Sequence, residues 1–272
     1  MTRIGRTLIV LALGALVWAP LAAQGIPTGF QGPAIEQFLK MGKIVKMASI
    51  PVGVAAPRRA TLELNGVQHQ AVFKDIDVQT RGLQVLSNGK IEQDFEDSWR
   101  LEVAAYEVDK IIGLGLVPAT VEREYDNKRG SMQWWIDDAM TEGDRVKKGN
   151  KPTDTNAWNR QQLNTRLFDN LIFNTDRTLA NSLVLADFQI RLIDHSRTFR
   201  VFKDLRDPKT LTQFSRSLLD GLKKLDKANL TAATGKYVSQ NQINTLLQRR
   251  DALLKLAADT IAKKGEAAVL FE

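Results

Sequence analysis

Five side chains in this sequence have the types and order needed to handle phosphate and a hard cation. Asp176 and Asn181 stand five residues apart in DNLIFNTDRTLANSLVL, and Asp194 follows thirteen residues beyond Asn181, closing FQIRLID. An Asn and an Asp delivered from the two ends of a hairpin can hold a divalent cation through oxygen. An Asp just ahead of them can take the proton from an attacking hydroxyl. Lys74 lies inside the apolar run QAVFKDI, where an unpaired ammonium is costly. Glu102, in the helical run that follows, is its natural partner. A Lys–Glu pair above and Asp, Asn and Asp below is the layout of phosphoryl transfer, in which positioning and charge neutralisation do most of the catalysis.

Taken singly, each residue has a plainer reading. Asp176 can cap a turn, Lys74 can guard an exposed strand edge, and Glu102 can be a solvated helix residue. The specificity lies in the ordered set and in the elements that must carry it.

Those elements follow from pattern. A short amphipathic helix is expected near 34–41. Strands are expected at IVKMAS, ATLELN and HQAVFKDI, and Asn65-Gly66 between the last two predicts a hairpin. Residues 78–98 read as polar and irregular. From Trp99 to Gly113, apolar residues recur at helical spacing, and Gly113, Gly115 and Pro118 stop the helix. PATVEREYD and SMQWWIDD then read as strands joined through Lys128-Arg129-Gly130. One of Trp134 and Trp135 should pack in the core and the other against a helix, because neighbours in a strand face opposite sides. Residues 142–156 read as a charged loop, whose basic stretch 145–151 is either simply solvated or attracts an acidic substrate or anionic membrane. A helix over 157–173, two short strands in NSLVLAD and FQIRLID, and a long helix from Ser239 to Lys264 complete the chain.

Composition narrows the chemistry. With no cysteine there is no thiolate nucleophile, disulfide or cysteine-bound metal, and two histidines, His69 and His195, leave no multi-histidine centre. His195-Ser196 beside Asp194 lacks the nucleophile elbow of a Ser–His–Asp hydrolase. Basic residues are not interleaved with aromatics, so no nucleic-acid partner is expected. The chain opens with Arg3 and Arg6, then a twelve-residue apolar run from Leu8 to Ala19, then Ala22 and Ala23. As a helix, that run spans about 18 Å against a hydrocarbon core of about 30 Å. It reads as a secretory leader over 1–23, with an uncleaved anchor as the alternative because Leu21 spoils the cleavage site. Losing Arg3 and Arg6 takes the net charge from +7 to +5. The expected location is therefore exported, either periplasmic or secreted, with no membrane span once the leader is cut.

The segments FLKMGKIVKM, GVAAPRRATLELNG, AVFKDID, LEVAAYEVDKIIGLGLVPATV, GSMQWWIDDAM, DNLIFNTDRTLAN and LIDHSRTFR carry a resemblance across residues 36–260. Through them the chain resembles the atypical protein-kinase-like group, which takes in bacterial phosphatidylinositol-kinase-like proteins, toxin–antitoxin serine kinases and secretory-pathway kinases. The resemblance implies an α+β, bilobal fold: an antiparallel-sheet lobe with one key helix over 24–138 and a mainly helical lobe over 139–272. It implies that Lys74 and Glu102 are the nucleotide-binding pair and that Asp176 is the catalytic-loop Asp. Asn181 and Asp194 would be the metal ligands. Residues 135–139, including Trp135 and Asp137, would be the hinge that meets adenine. ATP with Mg²⁺ or Mn²⁺ is the implied cofactor set, and the partners are a nucleotide and a hydroxyl-bearing protein, lipid or sugar acceptor, acted on by a monomer. The sequence departs from the family in three places. Residues 48–57 hold only Gly53 and no GxGxxG, Thr178 stands where a histidine is common, and Asp194-His195-Ser196 replaces DFG. The alternatives are a kinase-shaped binding module without catalysis, since ATP is scarce outside a bacterial cytoplasm, or a transferase that moves AMP.

Overall fold

Apolar residues at helical spacing bury Ile35, Phe38 and Leu39 of α1 (Pro33–Met41) against a five-stranded sheet. The sheet is built from β1 (Lys43–Ser49), β2 (Arg58–Leu64) and β3 (Val67–Lys74). Asn65 and Gly66 join the last two with φ of 53° and 78°, a turn whose twist matches the strands it links. The computed structural model describes residues 29–51, 56–85, 89 and 91–272; the expected leader over 1–23 and Gly53 lie outside them.

Residues expected to be irregular instead form a second hairpin, β4 (Asp77–Val85) and β5 (Ile91–Ser98), paired only with each other and bulged between Thr80 and Leu83. β4 is exposed along most of its length and β5 is polar at most positions, so no in-and-out hydrophobic alternation marks them. Ser98 ends the hairpin and caps α2 (Trp99–Ile112), its Oγ accepting from the Arg100 amide at 3.2 Å. Gly113 closes that helix in the left-handed conformation.

Strands β6 (Thr120–Tyr125) and β7 (Lys128–Trp134) complete the sheet in the order β1-β2-β3-β7-β6, every neighbouring pair antiparallel. Their turn is Asp126-Asn127, both at positive φ, and not Lys128-Arg129-Gly130, which opens β7.

After β7 the chain crosses to a small second sheet. β8 (Met140–Thr141) is followed by α3 (Glu142–Lys147) and α4 (Thr155–Leu171). The helix α3 replaces part of the expected charged loop. Thr141 caps it, Glu142 and Asp144 fill its first turn, and Arg145 and Lys147 fill its last, the order that the helix dipole favours. A 3₁₀ turn at Leu179–Asn181 leads into β9 (Ser182–Val184) and β10 (Ile190–Leu192), and β9 pairs with both β8 and β10.

The remainder is helical: β11 (Phe214–Ser215), α5 (Arg216–Lys224), α6 (Lys227–Thr234), α7 (Gln240–Lys264), α8 (Glu266–Val269) and β12 (Leu270–Phe271), the last parallel to β11. One buried apolar cluster runs through both the strand-rich and the helical part. Gly221 lets α5 close on the end of α2, because a Cβ there would stand 2.3 Å from the Ile112 carbonyl oxygen. The mixed α+β architecture is the expected one. Among the described residues no helix is long and apolar enough to cross a membrane.

Asp109, on α2, is fully buried, and its Oδ2 accepts from the Leu116 and Val117 amides and from Gln31 Nε2 at 2.7–3.0 Å. Burial nevertheless pushes its carboxyl up to about 6, against the opposing pull of those donors. A carboxyl raised on folding contributes most stability below its unfolded pKa and loses it as the pH climbs to about 6. Urea titrations of wild type and Asp109→Asn at pH 4 and pH 7 should therefore show the stability difference moving in the variant's favour by on the order of 3 kcal/mol as pH rises. A difference that stays constant with pH would contradict the assignment.

Candidate active site

The strand β3 alternates: His69, Ala71 and Phe73 are buried in the core, and Gln70, Val72 and Lys74 face the other way. Lys74 Nζ donates to Glu102 Oε1 at 2.5 Å and to Asp194 Oδ1 at 2.7 Å. Glu102, 2% exposed on the first turn of α2, uses its other oxygen to accept the His195 amide at 2.9 Å. One lysine and one glutamate thus join β3, α2 and the segment that follows β10. Burial by itself would discharge both groups. The Glu102 and Asp194 carboxylates overcome it and hold the Lys74 ammonium above its ordinary range. Lys74 and the His195 N–H hold Glu102 well below the usual carboxylate range.

The backbone makes room for this contact. Gly130 lies beside β3, where a Cβ would fall 2.4 Å from the Lys74 carbonyl oxygen. Asp194 itself sits at φ 62°, a left-handed conformation that Asp and Asn tolerate better than other residues with a side chain.

Below this triad, Asp176 and Asn181 occupy the loop between α4 and β9. The Asn181 side-chain amide donates to the Asp176 carbonyl at 2.9 Å, which aims its Oδ1 elsewhere. The Ile193 amide donates to the Asn181 carbonyl at 3.1 Å, so Asp194 and Asn181 stand on adjoining backbone. Among the described residues, Asn181 Oδ1 and Asp194 Oδ2 accept no hydrogen bond. Two hard oxygens without donors, beside a lysine that can meet phosphate, fit a divalent cation shared with a nucleotide, because Mg²⁺ takes few protein ligands and completes its shell with phosphate and water. Among the described residues no group of three or more His, Cys, Asp or Glu side chains could hold a metal.

Sequence reasoning missed Arg177. Its guanidinium takes Asp169 in a fork at 2.9–3.3 Å, donates to the Asn181 carbonyl at 2.5 Å and the Ile193 carbonyl at 3.0 Å, and meets His195 Nε2 at 3.0 Å. Burial and this cation lower the pKa of His195, against the pull of Glu102, so the ring accepts at Nε2. Arg177 therefore ties the Asp176 loop to the Asp194 segment from behind. The signal available in sequence was a charged pair, Asp169 and Arg177, flanking the apolar LIF.

The residues expected to form the hinge engage other partners than the triad. Trp134 is buried and stacked on His69 at 3.6 Å between ring centroids. The Arg59 guanidinium lies 3.8 Å over the Trp135 indole, and the Trp135 amide donates to the Gln70 carbonyl. The Asp137 carboxylate turns to His69 Nε2 at 3.0 Å, and His69 is on the face of β3 opposite Lys74. The structure thus gathers Lys74, Glu102 and Asp194 around one contact and sets Asn181 and Asp176 beside it, with the Trp135 and Asp137 side chains engaged elsewhere.

The fold that carries these residues recurs in solved structures. The hydra Fam20 structure with sugar superposes with a TM-score of 0.64 at 13% identity, covering 88% of this chain and 91% of that one. The Golgi casein kinase gives 0.62 at 15% identity, covering 87% and 78%. The fold is kinase-like. The Helicobacter pylori proinflammatory kinase CtkA gives a TM-score of 0.49 at 12% identity, covering 84% and 98%. The sequence matches no protein-family model and no curated protein. At these identities the likeness lies in the fold, and the site rests on the residues described above.

Arg177→Met should leave the Asp169 carboxylate without its cation and cost about 3 kcal/mol in urea unfolding. Arg177→Lys, which lacks the planar fork, should recover less than half of that. A variant of wild-type stability would show that Arg177 holds nothing.

Proposed function

We propose that this protein is an exported kinase that transfers a phosphoryl group from ATP to a hydroxyl acceptor. The observation that carries the reading is the Lys74 ammonium, buried between Glu102 and Asp194 and opposite the donor-free oxygens of Asn181 and Asp194. Burying the Lys74–Glu102 pair is costly, and hydrophobic packing would serve stability as well. An exchangeable phosphate partner gives it a purpose.

In this reading the strand-rich lobe, 24–138, and the helical lobe, 139–272, close over the nucleotide. Lys74 binds phosphate oxygens, and Glu102 keeps the ammonium aimed at them. Asn181 and Asp194 hold Mg²⁺ or Mn²⁺, which when bound neutralises charge on the transferring phosphate. Asp176 orients the acceptor hydroxyl and takes its proton as the new O–P bond forms. The hinge backbone over 135–139 meets the adenine. The acceptor belongs to a protein, lipid or sugar. The structural neighbours include one solved with a sugar and one described as a casein kinase, which supports either of two of these classes. The Arg-flanked apolar run at the N-terminus supports export, with release from the membrane on cleavage.

ATP with Mg²⁺ at one hundred times its dissociation constant should stabilise the protein by about 2.7 kcal/mol. In a chain of this size that raises the Tm by several degrees. Asp194→Ala should abolish both the Mg²⁺-dependent part of that shift and transfer from radiolabelled ATP. A shift without transfer would leave a nucleotide-binding module, and no shift in the wild type would overturn the reading altogether.

A further inference from the structure

The segment that follows Asp194 carries two arginines, Arg197 and Arg200, and both are held by Glu92 of the β4–β5 hairpin. Arg197 makes a direct hydrogen-bonded ion pair with Glu92 Oε1, and Arg200 Nη1 lies 3.6 Å from Glu92 Oε2. The same segment is fixed to the hairpin along its length. The Ser98 amide donates to the Ser196 carbonyl at 2.9 Å, Arg200 donates to the Gln93 carbonyl, and the Arg197 guanidinium lies 5.1 Å over Phe95. From the other side Arg249, fully buried on α7, donates to the carbonyls of Arg200 and Phe202 at 3.0 and 2.5 Å and to that of Leu171 at 2.8 Å. Arg197 also stands 3.8 Å from the Asp176 carboxylate, so the order of this segment reaches the loop that bears the candidate base.

Two arginines gathered by one anion is the arrangement by which a phosphate, once added to such a segment, orders it in kinase folds. Here the anion is already in the chain, on a strand that has no other partner in the sheet. We propose that Glu92 is a positioning residue that takes the place of such a phosphate: it latches residues 195–203 to the inserted hairpin, so the segment is ordered without modification. The latch stands on these contacts alone; its consequence for transfer rests on the kinase reading.

One feature of the fit favours charge over shape as the holding force: Arg197 Nε, Arg200 Nη1 and Glu92 Oε2 are all buried without a hydrogen-bond partner, so Glu92 holds the second arginine at ion-pair distance and not through a hydrogen bond. A larger anion with more oxygens, such as phosphate, would satisfy what one carboxylate leaves open.

Hydrogen–deuterium exchange across residues 195–203 tests the latch without any need for activity. Glu92→Ala and Glu92→Gln should both raise exchange there roughly tenfold or more, leaving α2 and α4 protected. Inorganic phosphate at millimolar concentration should restore protection to Glu92→Ala, and chloride at the same ionic strength should not. Unchanged exchange in both variants would overturn the proposal. So would loss of protection that phosphate fails to restore, or a Gln variant that behaves as wild type, because each would mean that the carboxylate charge is not what holds the segment. In the transfer assay Glu92→Ala should lower kcat with little change in the KM for ATP, and phosphate should recover it. If the exchange result holds and no variant transfers phosphate, the latch stands and the kinase reading falls.

Discussion

The Glu102 carboxylate is the joint on which the arrangement turns. One oxygen takes the Lys74 ammonium and the other takes the His195 amide, so a single side chain fixes β3, α2 and the segment after β10 in relation to one another. Neither the lysine nor the glutamate could be charged alone at that depth. Their mutual dependence makes the geometry all or nothing. Either strand, helix and loop assemble together with the charges paired, or the interior must accept a bare ion. This explains why so much of the surrounding structure serves placement: Ser98 starts α2 at the right residue, Gly130 admits β7 against Lys74, and Gly221 lets α5 press on the end of α2.

A second ionic joint lies on the other side of the same segment. Arg177 binds one carboxylate, two carbonyls and a neutral imidazole, and three of these partners belong to different stretches of chain. Between Glu102 in front and Arg177 behind, the two residues 194 and 195 are held from both faces. The β8–β9 pairing continues the same logic, because the connection from the upper sheet is stitched directly to the strand that leaves Asn181. The site is thus assembled from separate elements whose relative positions are set by a few charged contacts within one continuous core.

Much of this was legible in the sequence, and the reason is local. Lys74 stood out as a charge inside an apolar strand, the Asn65-Gly66 turn announced its hairpin, and Gly113 and Ser239 marked helix ends through their own chemistry. Asp176, Asn181 and Asp194 were readable because each falls where an apolar run stops. What escaped notice lacked a local signature. β4 is mostly exposed and β5 is polar at most positions, so neither strand shows a hydrophobic alternation. The helix α3 is six residues of mixed charge between two loops. Arg177 finds its partners mainly among backbone carbonyls, which any sequence offers everywhere. The direction of Asp137 depended on the parity of His69 on β3 and its stacking on Trp134, a matter of register between strands distant in the chain.

The left-handed backbone of Asp194 bears on how such a protein could change over generations. Asparagine accepts that conformation about as readily as aspartate and has nearly its shape. Replacing one oxygen with nitrogen there would preserve the turn while removing a charge from the cleft. On the proposed reading, a descendant could therefore lose the metal site through a single substitution that barely disturbs its architecture. In a fold of this kind, kinship of shape is a poor guide to whether the chemistry has been kept.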